Sequence, residues 1–140
     1  MVSLCKNQYC EINLDADANY AEIIYFETTA NMSTDEYKAE TIKMTAYYDQ
    51  FFKSSVNKIF IDARLNFYPI VPELQLWTIQ QFDRFKTHAY NTAIVQSSDI
   101  IANLSMDQVV SELYFSEYEP IVNKLFDDVE SAKKWLFRSK

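Results

Sequence analysis

Lys58-Ile59-Phe60-Ile61-Asp62-Ala63-Arg64-Leu65 is a short, mostly apolar run. A run of this length following a helical pattern is the signature of a central parallel strand, which is covered on both faces and so does not alternate. The helix ahead of it begins at Ser33-Thr34-Asp35-Glu36. That stretch has the capping-box form, in which the serine hydroxyl and the glutamate carboxylate satisfy otherwise unpaired backbone donors. From there Tyr37, Thr41, Met44, Tyr48 and Phe51 recur at helical spacing to about Ser54, forming one buried stripe. The aromatics in that stripe read as core. Upstream again, Ala21 to Thr28 is rich in branched and aromatic residues and reads as a strand, which completes a βαβ unit.

The flanks extend the pattern. Tyr9 to Leu14 alternates, with Cys10, Ile12 and Leu14 on one side, and the polar segment Asp15 to Asn19 joins it to the next strand as an antiparallel hairpin. Downstream, Asn66 to Pro72 is a loop, and Pro72 suits the first turn of a second helix through about His88. Leu74, Leu76, Trp77, Ile79, Phe82 and Phe85 make that helix apolar on more than one face. Thr92 to Gln96 reads as a fourth strand, and residues 98–104 stay open between a helical turn and irregular backbone. Ser105-Met106-Asp107-Gln108 caps a third helix to about Phe115, and Pro120 bars continuation. Ile121 to Phe126 reads as the fifth strand, and Asp127 with Glu130 as a third capping box ahead of Val129, Ala132 and Leu136. The order ββαβαβαβα predicts a single α/β domain over residues 1–140: a mostly parallel five-stranded sheet with an antiparallel N-terminal edge hairpin and about four helices.

Composition narrows the function. There is no glycine in the 140 residues. Glycine-rich turns let backbone N–H groups approach phosphate, so nucleotide-binding loops of that kind are excluded. In the Asp15 to Asn19 connection, Asn or Asp takes any left-handed position that glycine would normally fill. A net charge of -7 repels polyanions, which argues against nucleic acid as a partner. The one basic cluster, Lys133, Lys134, Arg138 and Lys140, complements the end of a helix. No apolar run reaches the roughly 18 residues of a membrane span, so no integral membrane segment is expected. MVSLCKNQYC lacks the features of an export signal, which makes a cytoplasmic location the expectation. Cys5 and Cys10 lack zinc-knuckle spacing, with only His88 to join them, so neither a metal nor another cofactor is expected. Cys10 reads as a buried apolar filler and Cys5 as an exposed thiol.

KIFIDARL (residues 58–65), with its aspartate near the strand end, and VNKLFDDVESAKKWL (residues 122–136) resemble the central strand and the closing strand, acidic turn and helix of the STAS superfamily. That is the fold of bacterial anti-sigma factor antagonists, here similar to the branch grouped with the CRAL-TRIO lipid carriers. The resemblance implies a binding or regulatory role. In the antagonists the loop after the central strand carries a phosphorylated serine at a helix N-terminus. The matching segment, Asn66-Phe67-Tyr68-Pro69-Ile70-Val71-Pro72-Glu73, has no serine or threonine, so a phospho-switched antagonist is not expected.

Parallel sheets bind ligands beyond the carboxyl ends of their strands. That geometry nominates Asn66, Phe67, Tyr68 and Glu73 after the third strand, Trp77 on the helix that follows, and Ser97, Ser98 and Asp99 after the fourth. The segment between the prolines is too apolar for an ordinary solvated loop, so two readings stay open: a lid over the core, or a surface for a partner or apolar ligand. Asp62 pairs with Arg64 or caps nearby backbone rather than accepting phosphate. His88 with Ser97 or Ser98 and Asp99 lacks the strained turn that presents a nucleophile. The expectation is a non-enzymatic binding module, docking a protein partner or an apolar small molecule at the loop after the central strand. Lipid carriage of CRAL-TRIO type is the alternative, and a small hydrolase the rival class. The apolar second helix offers a face for homodimerisation.

Overall fold

A computed structural model describes residues 1–97 and 121–138 of the chain. Its strands are β1 (Val2–Lys6), β2 (Cys10–Asp15), β3 (Tyr20–Tyr25), β4 (Lys58–Asp62), β5 (Tyr90–Val95) and β6 (Ile121–Phe126). The described helices are α1 (Thr34–Lys53), α2 (Pro72–Phe82) and α3 (Val129–Leu136). The α/β class holds, but the sheet has six strands, in the order β1-β2-β3-β4-β5-β6, where five were expected. The additional strand, β1, pairs antiparallel with β2 through a register that shifts between Ser3 and Cys5. An irregular, largely exposed edge strand leaves no alternation to read. From β3 to β6 every pairing is parallel. The expected helix from Ser105, the break at Pro120 and the segment 98–104 lie outside the described residues.

Side-chain alternation divides the sheet into two layers. Ile12, Ile23, Ile61, Ile94 and Leu125 lie in register across β2 to β6. Ile12, Ile23 and Ile61 of this face are packed by the α1 stripe Met44, Tyr48 and Phe51 and by Phe85 beyond α2. In a sheet whose strands follow chain order, same-handed crossovers place successive helices on one face, as α1 and α2 are here. On the opposite face α3 sets Ala132 and Leu136 against Phe60, Ala93 and Val95. The central strand is therefore covered on both sides, which is why it reads as continuously apolar.

Tight turns are made without glycine. Asn19, the last residue of the β2–β3 turn, has φ 54, as expected of an asparagine in the left-handed region. Ser55, just past the C-terminus of α1, has φ 61 and takes the place where helices usually put glycine. The two are tied together, since Asn19 Nδ2 donates to the Ser55 carbonyl at 3.0 Å. The capping box at Ser33 forms as read, with Glu36 N donating to Ser33 Oγ and Ser33 N to Glu36 Oε1. The third cap is corrected by one residue. Asp128, rather than Asp127 with Glu130, caps α3, accepting from Ser131 N at 2.7 Å and Ser131 Oγ at 2.9 Å. The second helix is also shorter than expected: α2 ends at Phe82, and a 3-10 segment, Asp83–Thr87, carries the chain on towards His88.

The backbone at Ser55 yields a stability prediction. A left-handed residue with a Cβ costs about 1–2 kcal/mol, while glycine loses about 0.4–1 kcal/mol through the looser unfolded chain. Ser55→Gly is expected to stabilise the protein by up to about 1 kcal/mol in urea denaturation. Asn19→Gly should give no such gain, because it also removes the bond to Ser55.

Candidate functional site

Between the sheet and the α1–α2 layer lies a partly open cavity of about 120 Å³. Its floor is Ile23 and Tyr25 of β3, Ile61 of β4, and Thr92 and Ile94 of β5. One wall is the α1 stripe, Tyr37, Thr41, Met44 and Tyr48; α2 adds Thr78 and Phe82. Asn66, Tyr68 and Ile70 of the loop after β4 close another side, and Tyr9, Met32 and Glu40 complete the lining. The helical spacing that makes a stripe thus also makes a wall, with the aromatic rings leaving space where they do not meet the sheet.

Hydroxyl accounting singles out one group. On the helices, Thr41 Oγ1 donates to the Tyr37 carbonyl and Thr78 Oγ1 to that of Leu74, each one turn back. The Tyr37 hydroxyl then donates to Thr78 Oγ1 at 2.7 Å. A strand offers no carbonyl one turn back. Thr92, only 1% exposed, has its Oγ1 buried with no hydrogen-bond partner among the described residues. Its in-register neighbour on β6 is Asn123, on the same face of the sheet, and both side-chain amide atoms of Asn123 are likewise buried and without a partner. A buried polar group left unpaired costs about 1–3 kcal/mol, so two side by side are a concentrated deficit in an otherwise apolar layer.

Burial pushes Cys10, Tyr25 and Tyr48 of the cavity lining towards their neutral forms. Burial pushes the Cys10 thiol up to about 12, with Glu40 adding to the effect, so no thiolate forms near neutrality. Burial and then the neighbouring Tyr90 and Tyr25 phenols hold Tyr48 well above its ordinary value. Burial likewise raises Tyr25. At the rim the Tyr9 hydroxyl donates to Glu36, and Asn7 Nδ2 donates to Glu40 at 3.1 Å. The set can enclose and hydrogen-bond a small molecule; it presents no activated nucleophile.

Of the residues nominated from sequence, Asn66 and Tyr68 line the cavity. Tyr68 stacks on Tyr37 with ring centroids 4.6 Å apart, and Ile70 is buried beside Tyr37 and Leu74, so the loop lies over the helical layer. Trp77 packs outside that stack, 6.4 Å from Tyr37, with Lys38 over its ring. Phe67 is half-buried and donates its N–H to Thr29 Oγ1. Glu73 is exposed in the first turn of α2, and Ser97 follows β5 outside the cavity lining. Ser98 and Asp99 lie outside the described residues. The strand order never reverses, so the tips of β4 and β5 do not flank the crevice that a switch in order would open. Sequence reasoning assigned Tyr37, Thr41, Met44 and Tyr48 to the core and passed over Thr92 as a strand residue. The available signal was a hydroxyl at an inward position of an apolar strand.

Two other residues have structural duties. Arg64 grips Asp62 through Nε at 2.9 Å and Nη2 at 2.7 Å, and its backbone N–H also donates to the carboxylate. Burial pushes the Asp62 carboxyl up, but the Arg64 bonds outweigh it and hold it below its ordinary value. His88 is exposed and stacks on Phe52 at 4.1 Å. Cys10 is buried as expected, whereas Cys5, expected to be exposed, is partly covered on β1. Among the described residues no cluster of metal-ligating side chains occurs and no helix is long and apolar enough to cross a membrane. Comparison with protein-family models, with curated proteins and with solved structures finds no match.

Two outcomes follow from these contacts. Tyr68→Ala removes a stacked ring from a partly buried site and should lower the melting temperature, while Glu73→Ala on the exposed first turn should not. Because the folded pKa of Asp62 is depressed, its stabilising effect is present above the unfolded carboxylate value of about 3.9 and is lost as pH falls through the lower folded value. Arg64→Met should therefore reduce stability at pH 7 and flatten the loss of stability below about pH 4 in acid titrations followed by circular dichroism.

Proposed function

We propose that this chain is a non-enzymatic, STAS-like binding module of the cytoplasm that holds an apolar small molecule between its sheet and the α1–α2 layer. The observation that carries the reading is the cavity of about 120 Å³, apolar in most of its lining and closed on one side by the loop after the central strand. A cavity of roughly 150 Å³ in an apolar core takes up benzene, so this one is of single-ring size. The neutral thiol and phenols around it favour retention over chemistry. Free cysteines among the described residues suit a reducing compartment. The antiparallel hairpin leading into a parallel sheet is compatible with the STAS resemblance.

Size weighs against the lipid-carrier alternative. Drug-sized ligands occupy about 300–1,000 Å³, and a long acyl chain does not fit within 120 Å³. Docking of a protein partner draws its support from Leu65, Val71 and Leu76, which are exposed on and beside the same loop.

Benzene titration followed by methyl NMR tests the cavity reading. Saturable shifts are expected at Met44, Ile23, Ile61 and Ile94, and Ile94→Phe, which fills the space, should abolish those at the other three while the protein remains folded. Benzene shifts absent from these methyls, or unchanged by the filling substitution, would overturn the reading.

A further inference from the structure

The cavity is mostly apolar, and one end of its floor carries a hydroxyl with no hydrogen-bond partner among the described residues. Thr92 lines the cavity and is almost wholly buried, and its Oγ1 has no partner. Beside it on β6, though outside the cavity lining, Asn123 holds an amide donor and an amide acceptor, also buried and unpaired among the described residues. The other threonines of the lining are already satisfied by carbonyls of their own helices. Removing polar groups from water without a partner is unfavourable, and a site built in this way returns the difference to a ligand that supplies the missing bond. An apolar body alone would leave the deficit in place.

We propose that the ligand is a molecule of single-ring size bearing one hydrogen-bonding group, a hydroxyl or carbonyl, which lies against Thr92 while its apolar body packs among Ile23, Ile61, Ile94 and Met44. This inference rests on the cavity reading above and adds polarity and orientation to it. Phenol fits the description, and toluene, of nearly the same shape, lacks the polar group.

Phenol and toluene are therefore titrated into the wild-type protein and the Thr92→Val variant by the same methyl NMR method. The wild type is expected to bind phenol at least as tightly as toluene, and Thr92→Val to weaken phenol by about 3- to 10-fold, the worth of one hydrogen bond, with toluene unchanged or tightened. Without ligand, Thr92→Val should melt at the same or a higher temperature, since it removes an unpaired hydroxyl. A lower melting temperature would mean that Thr92 and Asn123 satisfy each other, and would overturn the inference. So would equal effects on both probes, or a tenfold preference of the wild type for toluene; in these cases the cavity reading survives. If neither probe binds the wild type, both fall together. Failure of Thr92→Val to fold counts with a lower melting temperature and overturns the inference too.

Discussion

The register of Ile12, Ile23, Ile61, Ile94 and Leu125 across five adjacent strands is the contact surface on which the rest of the molecule is assembled. Strands in chain order with same-handed crossovers put α1 and α2 on that face together, so one aliphatic row meets two helices and the loop between β4 and α2. Met44, Tyr48, Phe51 and Phe85 reach it, and three of these four are aromatic. Flat rings over a twisted sheet touch it well in some places and stand off in others. The cavity lies between the rings and the sheet, over residues of β2 to β5.

The second face behaves differently. There α3 brings the small side chain of Ala132 down onto Phe60, Ala93 and Val95, and Lys133 reaches Glu22 at 3.2 Å. The Tyr20 hydroxyl donates to the same carboxylate at 2.6 Å, so the buried Glu22 of that layer is paired twice. The unpaired groups of the described residues thus lie on the α1–α2 side of the same strands.

Absence of glycine shapes both the limits and the local geometry. It removes the backbone approach that phosphate loops need, and it leaves the left-handed positions to Asn19 and Ser55, which are joined by the bond from Asn19 Nδ2 to the Ser55 carbonyl. The turn after β2 and the exit from α1 are thereby joined just ahead of the central strand.

Much of this was legible in the residues alone. Capping at Ser33, the helical stripe from Tyr37 to Phe51, the apolar run of β4 and the left-handed asparagine are local patterns, and local patterns are read from spacing and residue type. The edge strand β1 escaped because a shifted, exposed pairing leaves no period, and the cap of α3 was displaced by one residue because Asp127 and Asp128 are equivalent in sequence. That Asn66 and Tyr68 line a cavity while Glu73 does not, and that Thr92 and Asn123 stand side by side without partners, could come only from the tertiary structure. Register between strands distant in sequence is fixed by how whole faces pack, and a hydroxyl's partner depends on what lies across the fold rather than along the chain.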